Sequence, residues 1–458
     1  MNTKDLQELS VKDQLNILFN SFPEGEINKY ENFLNAEKNK VDFGTLPVSL
    51  HKEENIIFSL AETIVNFHAG FMFGEDTSFK ILKDPSDVFN DFKDYVQTSK
   101  ANSINFSLAQ KTFSFGLTAE IIAFDKEKDK FNITICDPTK EKIGYNFDNG
   151  DLTLFSRQYP YEIIEDGNVK EVQIIEYYDS KKMTKYMLNN DKYEVYGDVW
   201  SYEKMPVVLY QCNPIWLKVK NLIDRVNRTN SANAYIVNAY AFPILVLAGD
   251  LLGFDSKTEL DDFKKKMNSL GISKQISIST ENLDGKSTKG DVKYLQPSVE
   301  SMLFDKETNT LLERIFADTA VTNITIETIQ KIGNLSGRAI ELLFLNSKII
   351  NNSMQSIYFH LDRRWNIFKS QLDFYKNTQN TKKYQSLIIE TVFNSPLPTD
   401  KTELTDNTVL QKSNGLLSVV GAQEKLGIDT EIEGERLEEE QEEENINITQ
   451  NLGESYDL

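Results

Sequence analysis

The most constraining feature of this chain is a long amphipathic run late in the sequence. Ile350, Met354, Ile357, Leu361, Trp365, Phe368, Leu372 and Tyr375 recur at steps of three or four residues, the stripe of a helix packed along one side. A helix from Asn334 to Tyr375 has 42 residues and is roughly 60 Å long at ~1.5 Å per residue. Too long to be enclosed by a single small domain, it is expected to act as a strut. Directly ahead lies "KIGNLSGRAIELLF", residues 331–344. Glycines at a helix start let backbone N–H groups converge on an anion, so a phosphate-cradling loop is one reading. The nucleotide-binding form also needs a lysine followed by Ser or Thr, and a strand leading in. Here Gly333 and Gly337 stand four apart, Arg338 and Ala339 fill those places, and the preceding "NITIETIQ" is polar. The pattern argues against a nucleotide site.

With 458 residues, 40% hydrophobic and 11% aromatic, the chain has room for two or three domains and a buried core. No apolar run approaches the ~20 residues that span a bilayer, so no membrane partner is expected. The start, "MNTKDLQELSVKDQLNILF", lacks the basic and apolar parts of a signal peptide. Cys136 and Cys212 lie far apart without metal-ligand neighbours and read as small buried hydrophobes in a reducing compartment. His51, His68 and His360 leave little material for a metal site or triad. With no paired carboxylates, partnered nucleophile or metal spacing, no catalytic residue, metal or cofactor is expected, and the chain reads as a non-enzyme. The net charge of −20 is uneven: residues 399–458 hold 16 acidic and 4 basic side chains, the other 398 residues 54 and 46. The body is therefore free to present near-neutral or basic surfaces to DNA.

Along the chain, residues 1–50 read as an adaptable, partly helical arm. "ENIIFSLAETIVNFHAGFMFG" has helical spacing and stops at Gly74. From about 113 to 210, "EIIAFD", "FNITICDP", "DLTLFS", "VQIIEYYD" and "KYMLNN" between turn residues predict an antiparallel meander. Asn213 as N-cap and Pro214 at the first helical position then open a helix ended by Pro243, with Trp216, Val219, Ile223 and Val226 as its stripe. Its Lys218, Lys220, Arg225 and Arg228, against Asp224 alone, form either a solvated face or a DNA- or subunit-facing one. Residues 243–296 read as strand, helix, strand, strand, and Ser298 to about Ala320 as a second helix with Leu311, Leu312, Ile315 and Phe316 inward. After the long helix come one strand ("SLIIETVF"), the break "NSPLPTD", short helices around 402–427, and the acidic "EIEGERLEEEQEEEN".

This order of parts resembles the portal (head–tail connector) proteins of tailed bacteriophages, particularly the SPP1-type portal family, over roughly residues 50–445. "AETIVNFHAGFMFGED" is similar to the family's early helix before a wing strand, and "ITICDPTKEKIGYNFDNG" to its wing segment. "EKMPVVLYQCNP" with "VKNLIDRVNRTNSANAYIVNAYAFPILVLAG" resembles the start of the first stem helix. Ser336, Gly337, Arg338 and Ala339 match the Ser-Gly-x-Ala element before the spine helix, with Arg338 where an aliphatic residue is frequent. "IIETVFNSPLPTDKTEL" and "IEGERLEEEQEE" resemble the segments that follow.

The resemblance implies an α+β portal fold: a β-rich wing, two stem helices flanking a small α/β clip, a long spine helix and a helical crown, in a ring-shaped homo-oligomer of typically twelve subunits. It places the N-terminal arm and wing at 1–212, the first stem helix at 213–242, the clip at 243–297 and the second stem helix at 298–320. The tunnel loop follows at 321–333, the spine helix and closing strand at 334–398, and the crown and acidic tail at 399–458. It further implies a channel at one capsid vertex through which double-stranded DNA is packaged and ejected without sequence preference. The implied partners are terminase, major capsid or scaffold protein, and head-completion (adaptor) proteins, in the virion and, during assembly, the host cytoplasm. On this reading Asn323, Thr325, Thr328, Lys331 and Arg338 face the channel, each with a subunit contact as the alternative. Lys264, Lys265 and Lys266 either meet a packaging partner or form a solvated helix face. A non-portal assembly or scaffold protein would also explain the long helix and acidic tail, but not a compact insertion between two helices.

Overall fold

Strand β2 (Leu117–Asp125) is buried along almost its whole length and therefore needs cover on both faces. In the computed structural model it is the middle of an antiparallel sheet, between β10 (Val207–Gln211) and β3 (Lys130–Cys136). The structure describes residues 3–41, 55–165, 167–189, 192–241, 244–248, 261–262, 265, 275–278, 291–295, 301–323, 341–355, 361–376, 382–394, 401–428, 433–434 and 436. They belong to two units: Met1–Asn323 with Ser347–Pro396, and Ile324–Asn346 with Leu397–Leu458.

Because side chains alternate along a strand, β2 divides two cores of the first unit. Ile122 and Phe124 enter the main core with α4 (Leu60–Phe73), α5 (Phe89–Thr98), α6 (Asn105–Phe115) and α10 (Leu361–Lys376). The stripe of α10 lies where its spacing predicts, with Leu361, Trp365, Phe368 and Leu372 fully buried. Phe368 stacks on Phe131 of β3 at 3.8 Å between ring centroids, and Trp365 meets Phe79 edge-on at 5.1 Å. On the other face of β2, Leu117, Ala119 and Ile121 pack with Phe155 and Tyr178.

Phe155 and Tyr178 belong to a second antiparallel sheet of β4 (Lys142–Asp148), β5 (Asp151–Glu165), β6 (Asn168–Tyr178), β7 (Lys182–Asn189) and β8 (Lys192–Val195), in that order, with β9 (Trp200–Ser201) on β7. The region expected as one meander is thus two sheets. The N-terminal residues fold onto this sheet. Leu6 of α1 (Thr3–Gln7) and Leu15 and Leu18 of α2 (Val11–Asn20) pack with Leu154 and Ile175. A Cβ on Gly144 of β4 would stand 2.8 Å from the Cβ of Leu18, so the close approach of α2 requires glycine there. From α3 (Glu24–Leu34), Phe33 stacks on Trp216 at 4.8 Å.

Two charged networks hold these layers. Between β2 and α10, Arg364 and Glu120 are both fully buried (0% exposed), with Arg364 Nε 2.9 Å from each Glu120 oxygen and Nη2 2.6 Å from Oε2. Arg364 Nη1 donates to Asn105 Oδ1 (2.6 Å) and the Ala101 carbonyl (3.2 Å), while Tyr210 donates to Glu120 (2.8 Å). Gln371, seven residues on, donates to the Ile122 carbonyl (2.8 Å) and accepts from the Phe124 amide (2.9 Å). In the second sheet Glu176 accepts from Arg157 (2.8 Å), Tyr178 (2.7 Å) and Tyr159 (3.0 Å). Burial pushes the Glu176 carboxyl upward, but the Arg157 charge and these hydrogen bonds prevail and hold it at about 2.

The first unit also carries a ribbon of β1 (Ser78–Lys83) paired antiparallel with β14 (Ile388–Val392). A small sheet has β11 (Ile244–Ala248) at its centre, parallel to β12 (Gln275–Ile278) and antiparallel to β13 (Asp291–Leu295). With helical Asp261, Asp262 and Lys265 between β11 and β12, this is the expected strand, helix, strand, strand order. Helix α7 (Lys220–Ala241) precedes that sheet and α8 (Ser301–Thr319) follows it. Helix α7 starts later than Asn213 because residues 212–216 are pinned to the end of α6. The Cys212 amide donates to the Gly116 carbonyl (2.9 Å), Ile215 to Phe113 (3.2 Å) and the Trp216 indole to Ser114 (3.1 Å). Gly116 is left-handed at φ 77°, and a Cβ there would stand 2.5 Å from the Cys212 oxygen. The expected 42-residue helix is described in pieces, α9 (Leu345–Met354) and α10, with 334–340 and 356–360 outside the described residues. In the second unit α11 (Lys401–Ser413) and α12 (Val419–Lys425) form a short helical pair, and Lys425 donates to Gln411 at 2.8 Å.

Two outcomes follow from the charged networks. Replacing Arg364 with Ala strands a buried carboxylate and should cost about 3–5 kcal/mol in denaturant unfolding followed by Trp365 fluorescence. The double change Arg364→Met with Glu120→Leu should recover much of that loss. Because the folded Glu176 carboxyl sits near 2 rather than the ordinary 4.5, its contribution is complete above about pH 4.5 and fades as pH falls toward 2. Acid unfolding of Glu176→Gln should accordingly show a shallower pH dependence across that window.

Candidate functional site

The polar stretch after α8 holds residues that the family resemblance expects to face DNA, and the structure describes the residues that flank it, up to Asn323 and again from 341. Helix α8 ends in a Schellman turn: Ala320 takes φ 55° and the Val321 amide donates to the Phe316 carbonyl (3.0 Å). A non-glycine residue in that conformation costs about 1–2 kcal/mol, so surrounding contacts must hold it. Side chains from two other helices do so. Ser347 Oγ of α9 donates to the Ala320 carbonyl at 2.6 Å and lies 3.0 Å from the Thr322 hydroxyl. His68 of α4, buried to 1% exposure, lies with Nε2 2.8 Å from the Thr319 carbonyl. A carbonyl only accepts, so Nε2 carries the proton and Nδ1 is the acceptor for the Asn351 amide at 3.2 Å. Asn351 spends its other amide hydrogen on the Ser347 carbonyl (2.9 Å), and its Oδ1 is buried without a partner. The chain thus leaves the first unit after Asn323 and returns at Ser347 through a hydrogen-bonded clasp.

Burial lowers the affinity of His68 for a proton, and the nearby Lys218 acts in the same direction. The hydrogen bonds to Thr319 and Asn351 oppose it without reversing the shift. The clasp is therefore built around neutral imidazole.

Helices α7 and α8 stand beside this clasp. The Thr319 end of α8 lies near Lys218, just before α7, and further along Arg225 meets Glu307 at 2.6 Å, so the two helices run antiparallel. The inner face of α7 reads extended backbone: Asn227 Oδ1 accepts from the Phe58 amide (2.9 Å) and Ser231 Oγ from the Ile56 amide (3.0 Å).

The sequence-derived candidates fare differently. Lys218 is exposed; Lys220 bonds Asp224 at 2.7 Å and lies over the Phe33 ring at 4.7 Å; Arg225 is taken by Glu307. Arg228 is half-buried and its Nε has no hydrogen-bond partner. Asn323 is exposed, and Lys265 is exposed with Asp262 3.6 Å away. Thr325, Thr328, Lys331, Arg338, Lys264 and Lys266 lie outside the described residues. Thr319, Ser347 and Asn351 were not singled out in the sequence, and His68 was named there only among histidines too few for a metal site or triad. The one signal was a pair of polar residues, Ser347 and Asn351, four apart at the start of an amphipathic run.

Among the described residues no group of acidic, His or Cys side chains is placed to hold a metal, and no helix is long and apolar enough to cross a membrane. The sequence model of the family described as Phage portal protein, SPP1 Gp6-like matches residues 49–447. The chain belongs to that family. As a portal-family member it carries the connector role that the family is named for. No curated relative matches it in sequence. Among solved structures, a chain in the virion of a native gene transfer agent particle is 10% identical, with 87% of this chain and 98% of that one covered and a TM-score of 0.38. A chain in the neck of the native particle, computed with C12 symmetry, is 8% identical over 89% and 94%, with a TM-score of 0.41. One in the neck of the empty particle, computed with C6 symmetry, is 10% identical over 81% and 89%, with a TM-score of 0.39.

The clasp carries a pH signature. A His whose folded form resists protonation gives stability that is whole above its ordinary value of 6.5 and is lost as pH falls through it. As pH is lowered from ~7.5 to ~5.5, the protection factor of the Val321 amide, its exchange rate taken relative to the intrinsic rate at each pH, should fall in the native chain, and this fall should flatten in His68→Gln.

Proposed function

We propose that the chain is the subunit of a ring, typically of twelve copies, that lines the channel for double-stranded DNA at one vertex of a phage-like capsid. The observation that carries this reading is the helix–sheet–helix insertion. Both ends are rooted in the main core, through Trp216, Val219, Ile223 and Val226 before the sheet and Ile315 and Val321 after it. A monomer gains nothing evident from a small separate sheet carried by two helices, whereas copies arranged about an axis would place those helices as a wall. In this reading 1–212 form the arm and wing, 213–242 and 298–320 the stem, 243–297 the clip and 321–333 the tunnel loop. Residues 334–398 are then the spine and closing strand, and 399–458 the crown and tail.

A conduit must let DNA slide, so its phosphate contacts should be few, weak and blind to sequence. Two of the four basic stem residues, Lys220 and Arg225, are already neutralised within the chain, which suits that requirement. DNA contact falls to Asn323, Thr325, Thr328, Lys331 and Arg338. The clip, with Lys264, Lys265 and Lys266, is the docking surface for terminase during packaging and for adaptor proteins afterwards, and major capsid or scaffold protein is a further partner. The energy for translocation comes from a separate motor. Charge reversal at Lys331 should change the amount of DNA packaged or retained in particles, measured as protected genome length. Unchanged packaging and retention would remove Lys331 from the channel.

A further inference from the structure

The outer half of the β5–β6 hairpin outruns the strands beside it. Strand β4 pairs with β5 only as far as Gln158, and β7 with β6 only from Gln173. Residues 159–165 and 168–172 are thus a ribbon with no third strand among the described residues. Its two faces differ. Side chains alternate along a strand, so Tyr161, Ile163 and Glu165 share one face with Asn168, Lys170 and Val172. The cation of that face is matched, Lys170 to Glu165 at 2.9 Å. The other face is the one that α1 and α2 cover nearer the core, through Leu154 and Ile175. At its tip Ile164 and Val169 sit directly opposite each other, 80% and 67% exposed. Next toward the core Glu162 opposes Glu171; both are exposed, and neither has an ion pair or side-chain hydrogen bond among the described residues. At the foot of the same face lies a cavity of about 190 Å³ walled by Phe22, Ile27, Pro138, Pro160 and Gln173. Lys142 and Glu24, which also line it, pair with each other at 2.8 Å.

We propose that this face binds a basic, amphipathic segment of a different protein, which sets a Lys or Arg between Glu162 and Glu171 and an apolar side chain on Ile164 and Val169. Like charges directly opposite each other destabilise a pair of strands, and a two-stranded ribbon is only marginally stable by itself. Two carboxylates held that way without a cation are completed by one from outside. Acids placed only to keep the ribbon from pairing with other strands would not be accompanied by an exposed apolar pair at its tip. The spacing fits a helix. The acid pair and the apolar pair are two residues apart on each strand, ~7 Å, close to the ~6 Å between residues four apart on a helix. A further apolar side chain of the segment then enters the cavity beside Pro160, ~13 Å from Ile164. Nucleic acid is a poor occupant because Glu162 and Glu171 repel its phosphates. With 70 acidic against 50 basic side chains, another copy of this chain is a poor source of the complement too. The surface is complete in one chain and does not depend on the ring reading.

The probe is a synthetic helical peptide with Lys and Leu four residues apart along one side, titrated with the full chain by fluorescence anisotropy at several salt concentrations. The double change Glu162→Lys with Glu171→Lys, and separately Ile164→Ser with Val169→Ser, should each weaken binding by about tenfold or more. Glu165→Lys with Glu194→Lys alters the net charge as much as the first pair but on the opposite face of the sheet, and should leave binding unchanged. Glu171→Lys alone creates an opposite-charge pair with Glu162, so it should hold or raise the melting temperature while weakening binding. Native-level binding by either face variant would overturn the proposal. So would an equal loss in the opposite-face control, which would mean general attraction of a basic peptide to an acidic chain. Loss of self-association in Glu162→Lys with Glu171→Lys, read by mass photometry without peptide, would assign the face to a further copy and overturn it as well.

Discussion

Glu120 and Arg364 meet where no water reaches, and much of the first unit is arranged so that they can. A guanidinium taken out of water must have its donors matched, and this one spends them on Glu120, Asn105 and the Ala101 carbonyl. Such a pair adds little net stability over apolar side chains of the same volume. Its consequence is geometric. The fork fits one carboxylate on one strand, so α10 has a single register on β2, and Gln371 repeats the constraint two turns later by bonding Ile122 and Phe124. Sliding α10 by a turn would leave a buried charge and two backbone groups unmatched.

That fixed helix, with the main core around it, is the frame on which the other helices of the first unit are mounted. From the same core rise α7 and α8, and at its edge α4 and α9 supply His68, Ser347 and Asn351 to the end of α8. The contrast between the two polar clusters is instructive. Around Arg364 the donors are matched, as expected of a rigid joint. In the clasp the Asn351 Oδ1 is left over, Ala320 is held in a left-handed conformation, and the ring of His68 is neutral only while pH permits. The joint next to the proposed channel loop is thus the one closer to rearrangement.

Much of this was legible from the sequence, for reasons that can be named. The stripe Leu361, Trp365, Phe368, Leu372 is periodic because one face of the helix is buried, and the structure buries it. The small insertion was readable because short apolar runs alternate with turn residues, and the family match at 49–447 agrees with the resemblance read over 50–445. Other features were not. The hairpin of β5 and β6 runs well past "DLTLFS", yet its outer half carries Pro160 and has Ile164 80% and Val169 67% exposed, so it shows no alternation of a buried face. The start of α7 moved from Asn213 to Lys220 because tertiary hydrogen bonds to residues 113–116 outweigh a good capping sequence. Glu120 and Arg364 lie 244 residues apart, and only their odd placement on apolar faces hinted at a partner for each. The clasp was hidden for the same reason: its members come from three distant helices.

The central claim is that this chain closes into a ring around a channel walled by its helix pair. Cryo-electron microscopy of the purified full-length chain tests it most directly. The account predicts closed rings with a central hole wide enough for duplex DNA, about twelve-fold, with residues 220–241 and 301–319 lining the narrow part. Compact monomers, open filaments or elongated rods at micromolar concentration would contradict it, as would a ring whose wall is formed by the β5–β6 hairpin instead.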